Sequence, residues 1–169
     1  MSSDMSPDLL QPKALRNAFG NFGTGVALIG VLDAQDKAVG LTINSFASVS
    51  LEPALLSWCL AKDSQLFDAI TRADRFSVNI LAATQTELSN RMAMPGDHRF
   101  DDTEWTASAK GGVFVNDALA KFDCRPHQTI EAGDHVVFLG AIEEAWACSH
   151  SRAPLVYFRG GYRQLLGDD

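Results

Sequence analysis

Small polar side chains alternate with apolar ones along residues 40–51, in a pattern that can bind a polar ligand. The odd positions are mostly apolar, and the even positions carry Thr42, Asn44, Phe46, Ser48 and Ser50. A period of two places these sets on opposite faces of an extended strand. An exposed face usually carries Lys, Glu or Arg, so hydroxyls and an amide favour a concave, half-dry surface over an ordinary solvent-facing strand.

Two further polar residues lie where a ligand can reach them. Ser64 can begin a helix that runs to about Ala73, and the free N–H groups at such a helix end favour an anion. A plain N-cap is the other interpretation of Ser64. Asn79 lies on the strand face opposite Phe76 and Val78, and it points either to a ligand or to solvent.

The elements that position these residues are mostly strands that follow strands. Pro12 opens a helix, residues 26–32 form the first arm of a hairpin, and residues 40–51 continue its second arm, with a bulge near Asn44-Ser45. We count about seven strands and three helices, without a regular alternation of strand and helix. This order predicts an antiparallel barrel with helices packed outside it.

Composition and charge exclude several classes of function. The chain has 169 residues and a net charge of −7, which argues against a nucleic-acid partner. No apolar run approaches the ~20 residues of a membrane span, so no membrane partner is expected. The cysteines and histidines lack metal-ligand spacing, and no Rossmann, P-loop or nucleophile-elbow motif is present. We expect a disordered tail at residues 1–8, a single domain at residues 9–169, a cytoplasmic location and no metal.

Taken together, several short motifs resemble those of the split-barrel flavin reductases. This family includes the small reductase components of two-component flavin monooxygenases and a flavoprotein reductase of cobalt corrins. The similarity runs from about residue 13 to residue 165, and Phe22 and Ala54 depart from the family pattern. The motifs are Phe22-Gly23-Thr24-Gly25-Val26, residues 40–53, Ser64, residues 76–81, and Gly133-Asp134-His135 before a strand.

The resemblance implies a mainly β (α+β) fold, namely a six-stranded antiparallel split β-barrel with peripheral helices. It implies a homodimer with the flavin, FMN or FAD, at the subunit interface. It also implies NADH or NADPH as the electron donor. The family's domain, flavin reductase-like and FMN-binding, corresponds here to residues 9–169.

The resemblance further implies roles for individual residues. His135 positions the nicotinamide, unless it is only a hairpin residue, because hydride transfer needs stacking and orientation rather than an acid or base. Lys62, Ser64 and Gln65 hold the flavin phosphate. The full set expected to bind the flavin is Thr24, Thr42, Asn44, Ser45, Ser48, Val49, Ser50, Lys62, Ser64, Gln65, Asn79, Arg99, Phe100 and Tyr162.

The aromatic and basic residues in this set have more than one expected role. Arg99-Phe100 packs over the flavin ring or pairs with a phosphate. Near the end of the chain, Tyr157, Arg159, Tyr162 and Arg163 cover the flavin or the adenine of the nucleotide, or else they are a core tyrosine and solvated arginines.

Three functions are consistent with these expectations. The first is an NAD(P)H-dependent flavin reductase that supplies reduced flavin to a partner monooxygenase. The second is a reductase that retains its flavin and passes electrons to another acceptor, such as a cobalt corrin. The third is a flavin-binding module without turnover.

Overall fold

The computed structural model describes residues 10–149 and 152–165, so the tail expected at residues 1–8 lies outside the described part. The helices are α1 (Pro12–Phe19), α2 (Phe67–Arg72) and α3 (Thr86–Ala93), with a 3-10 turn at Ala83–Gln85. The strands are β1 (Thr24–Gly25), β2 (Ala27–Leu32), β3 (Ala38–Ile43), β4 (Ala47–Leu51), β5 (Ala54–Ala61), β6 (Phe76–Ile80), β7 (Trp105–Ala107), β8 (Val113–Val115), β9 (Ala120–Ala132), β10 (His135–Ala147), β11 (Val156–Phe158) and β12 (Gly161–Arg163).

The main sheet contains seven antiparallel strands in the order β3-β2-β6-β9-β10-β5-β4. Its two edge strands, β3 and β4, are joined along the chain by residues 44–46 alone. In a flat sheet of seven strands the edges would lie about 29 Å apart, because neighbouring strands are about 4.8 Å apart. The short link spans at most about 14 Å even when fully extended. The sheet must therefore roll until its edges approach each other, which gives a split barrel.

Alternating apolar residues in the strands fill the interior of this rolled sheet. In β5, Leu56, Trp58 and Leu60 are buried while their neighbours are half-buried. The Trp58 ring stacks on Phe138 of β10 with 4.8 Å between the ring centroids. Full burial of each such side chain contributes roughly 1.5–3 kcal/mol, so this layer holds the two halves of the sheet together.

Two smaller sheets flank the barrel. The strands β1, β11 and β12 form a three-stranded antiparallel sheet, and β7 pairs with β8. A second apolar cluster lies between the barrel and these elements, and it includes Leu28, Met92, Phe100 and Leu155. No helix in the described part of the chain is long and apolar enough to cross a membrane.

The predicted mainly β, antiparallel architecture is confirmed, with three differences in detail. The main sheet has seven strands rather than six. Residues 40–51 do not form one continuous arm, because the chain leaves one sheet edge after Ile43 and enters the other at Ala47. The bulge lies between Ser48 and Ser50 rather than near Asn44-Ser45.

The helix predicted to begin at Ser64 begins at Phe67 instead. The residues before it form a turn, in which the Ser64 carbonyl accepts a hydrogen bond from the Phe67 N–H. The Ser64 hydroxyl oxygen accepts a further bond from the Leu66 N–H at 3.3 Å. Ser64 therefore stabilises the approach to α2 rather than the first turn of the helix.

Candidate active site

Three pockets adjoin one another and together form a cleft, because neighbouring pockets share lining residues. The first, of 510 Å³, lies beside Ser64; the second, of 200 Å³, lies in the middle; and the third, of 730 Å³, lies beside His135. Thr42 and Ala93 line both the Ser64 pocket and the central pocket. Asn44 and Tyr157 line both the central pocket and the His135 pocket. The cleft thus joins two regions that are far apart in the sequence.

The walls of the central pocket come from two different sheets. Thr42 belongs to β3 of the main sheet, and Tyr157 and Tyr162 belong to the three-stranded sheet. The two tyrosine rings pack edge to face with 5.8 Å between centroids. Asn44 has no side-chain hydrogen bond to any described residue, so its amide is available to a ligand.

The Ser64 pocket contains two of the three residues that were expected to hold a phosphate. Ser64 and Gln65 line it, together with Asp63, His98 and mostly apolar residues of β3, β5, α3 and the loop after α3. The Gln65 Oε1 accepts hydrogen bonds from the Gly96 N–H at 3.3 Å and from the His98 Nε2–H at 3.0 Å. Gln65 therefore fastens the loop after α3 to this side of the cleft. Lys62 does not line the pocket, because its ammonium group forms an ion pair with Glu131.

The His135 pocket is cationic, although the chain as a whole is acidic. Arg16, Arg159 and His135 line it, and no Asp or Glu is among its described lining residues. The Arg159 Nε–H donates to the Asn21 Oδ1 at 2.9 Å. The Asn21 amide in turn donates to carbonyls at the end of α1, the nearer of them at 3.1 Å. This chain of bonds fixes the guanidinium at the mouth of the pocket.

His135 is oriented by its neighbour in the sequence. Its Nδ1–H donates to the Asp134 Oδ1 at 2.8 Å, which leaves the Nε2 available to a ligand. The hydrogen bond from His135, followed by the attraction of its charge, lowers the pKa of Asp134. Asp134 therefore stays ionised as an acceptor.

Several of the expected flavin-binding residues lie outside the cleft of a single chain. Ser48, Val49 and Ser50 lie on β4, the exposed edge strand. The Ser45 hydroxyl is bonded to the backbone of Cys59, from whose N–H it accepts a hydrogen bond at 3.0 Å. Thr24 pairs with Tyr157 in the small sheet, and its hydroxyl is buried without a described hydrogen-bond partner.

Two of the expected residues, Asn79 and Phe100, are buried in the interior of the chain, so their predicted contacts with the ligand are wrong. Asn79 is fully buried and points neither to a ligand nor to solvent, because its amide bonds the backbone of β2 and β8. Phe100 is 7% exposed and packs against Gly40, where a Cβ would come within 2.7 Å of its ring. Arg99 stays a prediction, since it lines none of the three pockets and its half-exposed side chain places the guanidinium 3.9 Å from the Asp33 carboxylate.

The structure adds cleft residues that the sequence analysis did not single out. Arg16 and Asn21, at the end of α1, were missed, as was Ala93 of α3. No sequence pattern pointed to the first two, and the signal lies in the structure, where α1 has no buried residue and Phe19 and Phe22 are 69% and 79% exposed. An amphipathic helix that buries nothing in its own chain indicates a surface that binds something else.

The fold and the cleft together define the class of the protein. It is a split-barrel protein with an elongated cleft between the barrel and a small antiparallel sheet. Within the described residues, no group of three or more His, Cys, Asp or Glu side chains could hold a metal ion. The family model for the flavin reductase like domain matches residues 19–166. The chain therefore belongs to the flavin reductase like domain family.

Relatives of known sequence include several flavin reductases. The chain is 43% identical over 158 residues to a probable flavin reductase of Rhizobium meliloti, and the match covers 94% of this chain and 50% of that protein. It is 36% identical over 149 residues to an NADH-dependent FMN reductase of Agrobacterium fabrum, covering 88% and 83%. The chain thus spans about half the length of the Rhizobium protein and most of the Agrobacterium protein.

One solved structure extends the similarity to a protein with bound nucleotide fragments. The NADH:FAD oxidoreductase of Streptomyces globisporus, solved with NAD and FAD fragments, is 31% identical. It matches with a TM-score of 0.88, over 95% of this chain and 96% of that one. Its fold is therefore shared across nearly the whole of both chains.

Proposed function

We propose that this protein is an NAD(P)H-dependent flavin reductase, which transfers hydride from NADH or NADPH to FMN or FAD and supplies reduced flavin to a partner monooxygenase. The observation that carries the proposal is the row of three adjoining pockets, which is neutral and rich in hydroxyls at its centre and cationic at its His135 end. Flavin and nicotinamide nucleotides are both flat heterocycles that carry phosphate groups, and such a cleft complements both parts.

The central and Ser64 pockets fit a flavin. The edge of the flavin ring carries hydrogen-bond donors and acceptors. The Thr42 hydroxyl and the unpaired Asn44 amide can form hydrogen bonds with them. One buried polar atom of a residue that lines the Ser64 pocket, the His98 Nδ1, has no described partner, as expected where a ligand supplies one. Ser64 and Gln65 are then the residues closest to a flavin phosphate.

The His135 pocket fits the nicotinamide nucleotide. Arg16 and Arg159 supply positive charge for phosphates, in a pocket whose described lining has no carboxylate to compete. His135 can bond the nicotinamide side of the nucleotide through its Nε2. Because hydride transfer requires alignment rather than proton transfer, His135 acts in this proposal as a positioning residue.

The proposal includes a homodimer with the flavin at the interface. The edge strand β4 is exposed on both faces, and its Val49 and Leu51 are 49% and 96% exposed. An edge strand with exposed apolar residues tends to be covered by another chain. A second copy placed on β4 would also give Ser48 and Ser50 a role that they lack in a single chain. Sedimentation should give a mass of twice 18.3 kDa, and a monomer would contradict this part of the proposal.

The names of the relatives favour this function over a corrin reductase or a module without turnover. The Agrobacterium relative is named an FMN reductase (NADH), and another relative, from Mycobacterium tuberculosis, is named the reductase subunit of a flavin-dependent monooxygenase.

We also propose a cytoplasmic location, in keeping with cysteines that form no disulfide in the structure.

Anaerobic stopped-flow mixing tests the proposed reaction. The protein with FMN, and separately with FAD, is mixed with NADH and with NADPH, and absorbance is followed at the flavin band. We expect rapid bleaching with at least one pair, and a steady-state rate that saturates with added flavin. No bleaching with any pair would leave a flavin-binding module, and a flavin that stays bound while a cobalt corrin is reduced would favour the second function.

A further inference from the structure

Ser89 of α3 is the described residue that hydrogen-bonds to both walls of the central pocket. It is fully buried and lines no pocket itself. Its carbonyl oxygen accepts a hydrogen bond from the Thr42 hydroxyl at 2.7 Å. Its own hydroxyl lies 2.7 Å from the Tyr162 hydroxyl. One buried serine therefore contacts a residue of the main sheet and a residue of the small sheet.

The small sheet contains β1, β11 and β12, and the main sheet contains the other wall of the pocket on β3. Backbone contacts join the two sheets, because Val26 alone separates β1 from β2 and the Leu155 N–H donates to the Leu81 carbonyl at 3.0 Å. At the pocket itself, the distance between the Thr42 and Tyr162 side chains also depends on what packs between the sheets. Ser89 lies there, and its two hydrogen bonds fix both hydroxyl-bearing side chains against the same turn of helix.

We propose that Ser89 is a positioning residue for flavin binding, which holds Thr42 and Tyr162 at the separation that admits the flavin ring. The inference rests on the proposed function. Ser89 need not touch the ligand, because it acts through the Tyr162 ring, which also packs edge to face on Tyr157 and against the second apolar cluster. When the bond from Ser89 is lost, the Tyr162 ring can tilt about its contact with Tyr157 and change the shape of the pocket.

A mutant cycle tests this inference. The variants are Ser89→Ala, Tyr162→Phe and the double variant, and the dissociation constants of FMN and FAD are measured by fluorescence titration. A hydrogen bond of ordinary net strength corresponds to a roughly fivefold change in affinity. We expect each single variant to weaken flavin binding about that much, and the double variant to weaken it no further, because both changes remove the same bond.

The melting temperature separates positioning from a merely structural role. Ser89→Ala leaves the half-buried Tyr162 hydroxyl without its partner, and Tyr162→Phe leaves the fully buried Ser89 hydroxyl without its partner. The double variant removes both hydroxyls, so it should recover stability. Flavin affinity should not recover with it. Ser77→Ala is the matched control, because Ser77 is an equally buried serine whose hydroxyl bonds the backbone of β2 and β8. It should lower the melting temperature and leave flavin affinity unchanged.

The outcomes are distinguishable. Wild-type flavin affinity in Ser89→Ala, or a double variant that weakens binding by the product of the single effects, would overturn the inference alone. Recovery of both stability and affinity in the double variant would also overturn it. A wild-type protein that binds neither FMN nor FAD would overturn the proposed function, and this inference with it.

Discussion

Two regions of the molecule contain clusters of polar side chains, and they use them in opposite ways. One is the interior network around Asn79 and Asp123, between β6, β8 and β9. There the Asp123 carboxylate is fully buried and binds the Arg75 guanidinium, the Ser108 hydroxyl and the Gly112 N–H. The other is the cleft, where Asn44 has no described side-chain partner and His135 keeps its Nε2 available.

The difference shows how a polar residue's partners reveal its role. A buried polar group costs free energy unless it is hydrogen-bonded, so a residue that is satisfied within its own chain stabilises the fold. Asn79 shows this, since its Oδ1 accepts from the Val115 N–H at 2.9 Å and its Nδ2 donates to carbonyls on neighbouring strands. Cleft residues with unused bonding capacity are instead available to a ligand. Residue type alone does not separate the two groups.

The largest effect that would sharpen this comparison is expected at Asp123. Asp123→Asn removes the charge that faces Arg75, whose side chain is only 17% exposed, and leaves the Glu143 carboxylate at 2.7 Å as the remaining partner of the guanidinium. We expect a loss of about 1.5–3 kcal/mol in the free energy of unfolding, the range for a hydrogen bond to a charged group, measured by urea denaturation. The folded fraction should keep its flavin affinity, because Asp123 lies outside the cleft.

Asp68→Asn is the control for this prediction. Asp68 faces Arg72 at 3.9 Å on the surface of α2, with both side chains more than 80% exposed. Its loss should change stability by less than about 1 kcal/mol. If the two variants were equally stable, the interior network would not be the structural region described above.

Replacing His135 should change the stability of the protein less than replacing Asp123 does, but it should clearly lower the activity. His135→Ala should lower kcat/KM for the nicotinamide nucleotide about 10–100-fold, the effect of losing alignment between reacting groups. The melting temperature should stay within a degree or two of wild type, since the side chain is exposed. His127→Ala, an exposed histidine on the neighbouring strand that lines no described pocket, should change neither quantity. Unchanged kcat/KM in His135→Ala would remove this residue from the site.

The last effect is absent near neutral pH and appears only at alkaline pH, as a pH dependence of stability that belongs to the interior region. Burial raises the pKa of the Cys124 thiol from 9.0 to about 12. Above pH 9 the unfolded chain loses this proton while the folded chain keeps it, so stability should fall as the pH rises from 9 towards 12. Cys124→Ala should make this decline less steep in urea denaturation at several pH values.

Cys59→Ala provides the comparison for Cys124. Burial also raises the pKa of Cys59, but its thiol is only half-buried, so its replacement should flatten the decline less. Equal slopes for wild type and Cys124→Ala would show that other groups account for the alkaline loss of stability.

The sequence by itself determined the types of element and the chemistry of the cleft's centre. Period-two alternation predicted the strands, Pro12 predicted α1, and the run of small polar residues pointed to Thr42 and Asn44, which do line the cleft. These features follow from local rules, because strand geometry decides which residues share a face.

Only the tertiary structure decided which of those faces meets the core, the cleft or the surface. Residues 40–51 follow one pattern, yet the rolled sheet divides them between its two edges, so Thr42 lines the cleft while Ser48 lies on an exposed edge. Asn79 and Phe100 looked like ligand contacts and are interior residues, and Ser89 gave no signal at all. Each of these placements depends on strands and helices that are distant in the sequence, whose packing no local pattern specifies.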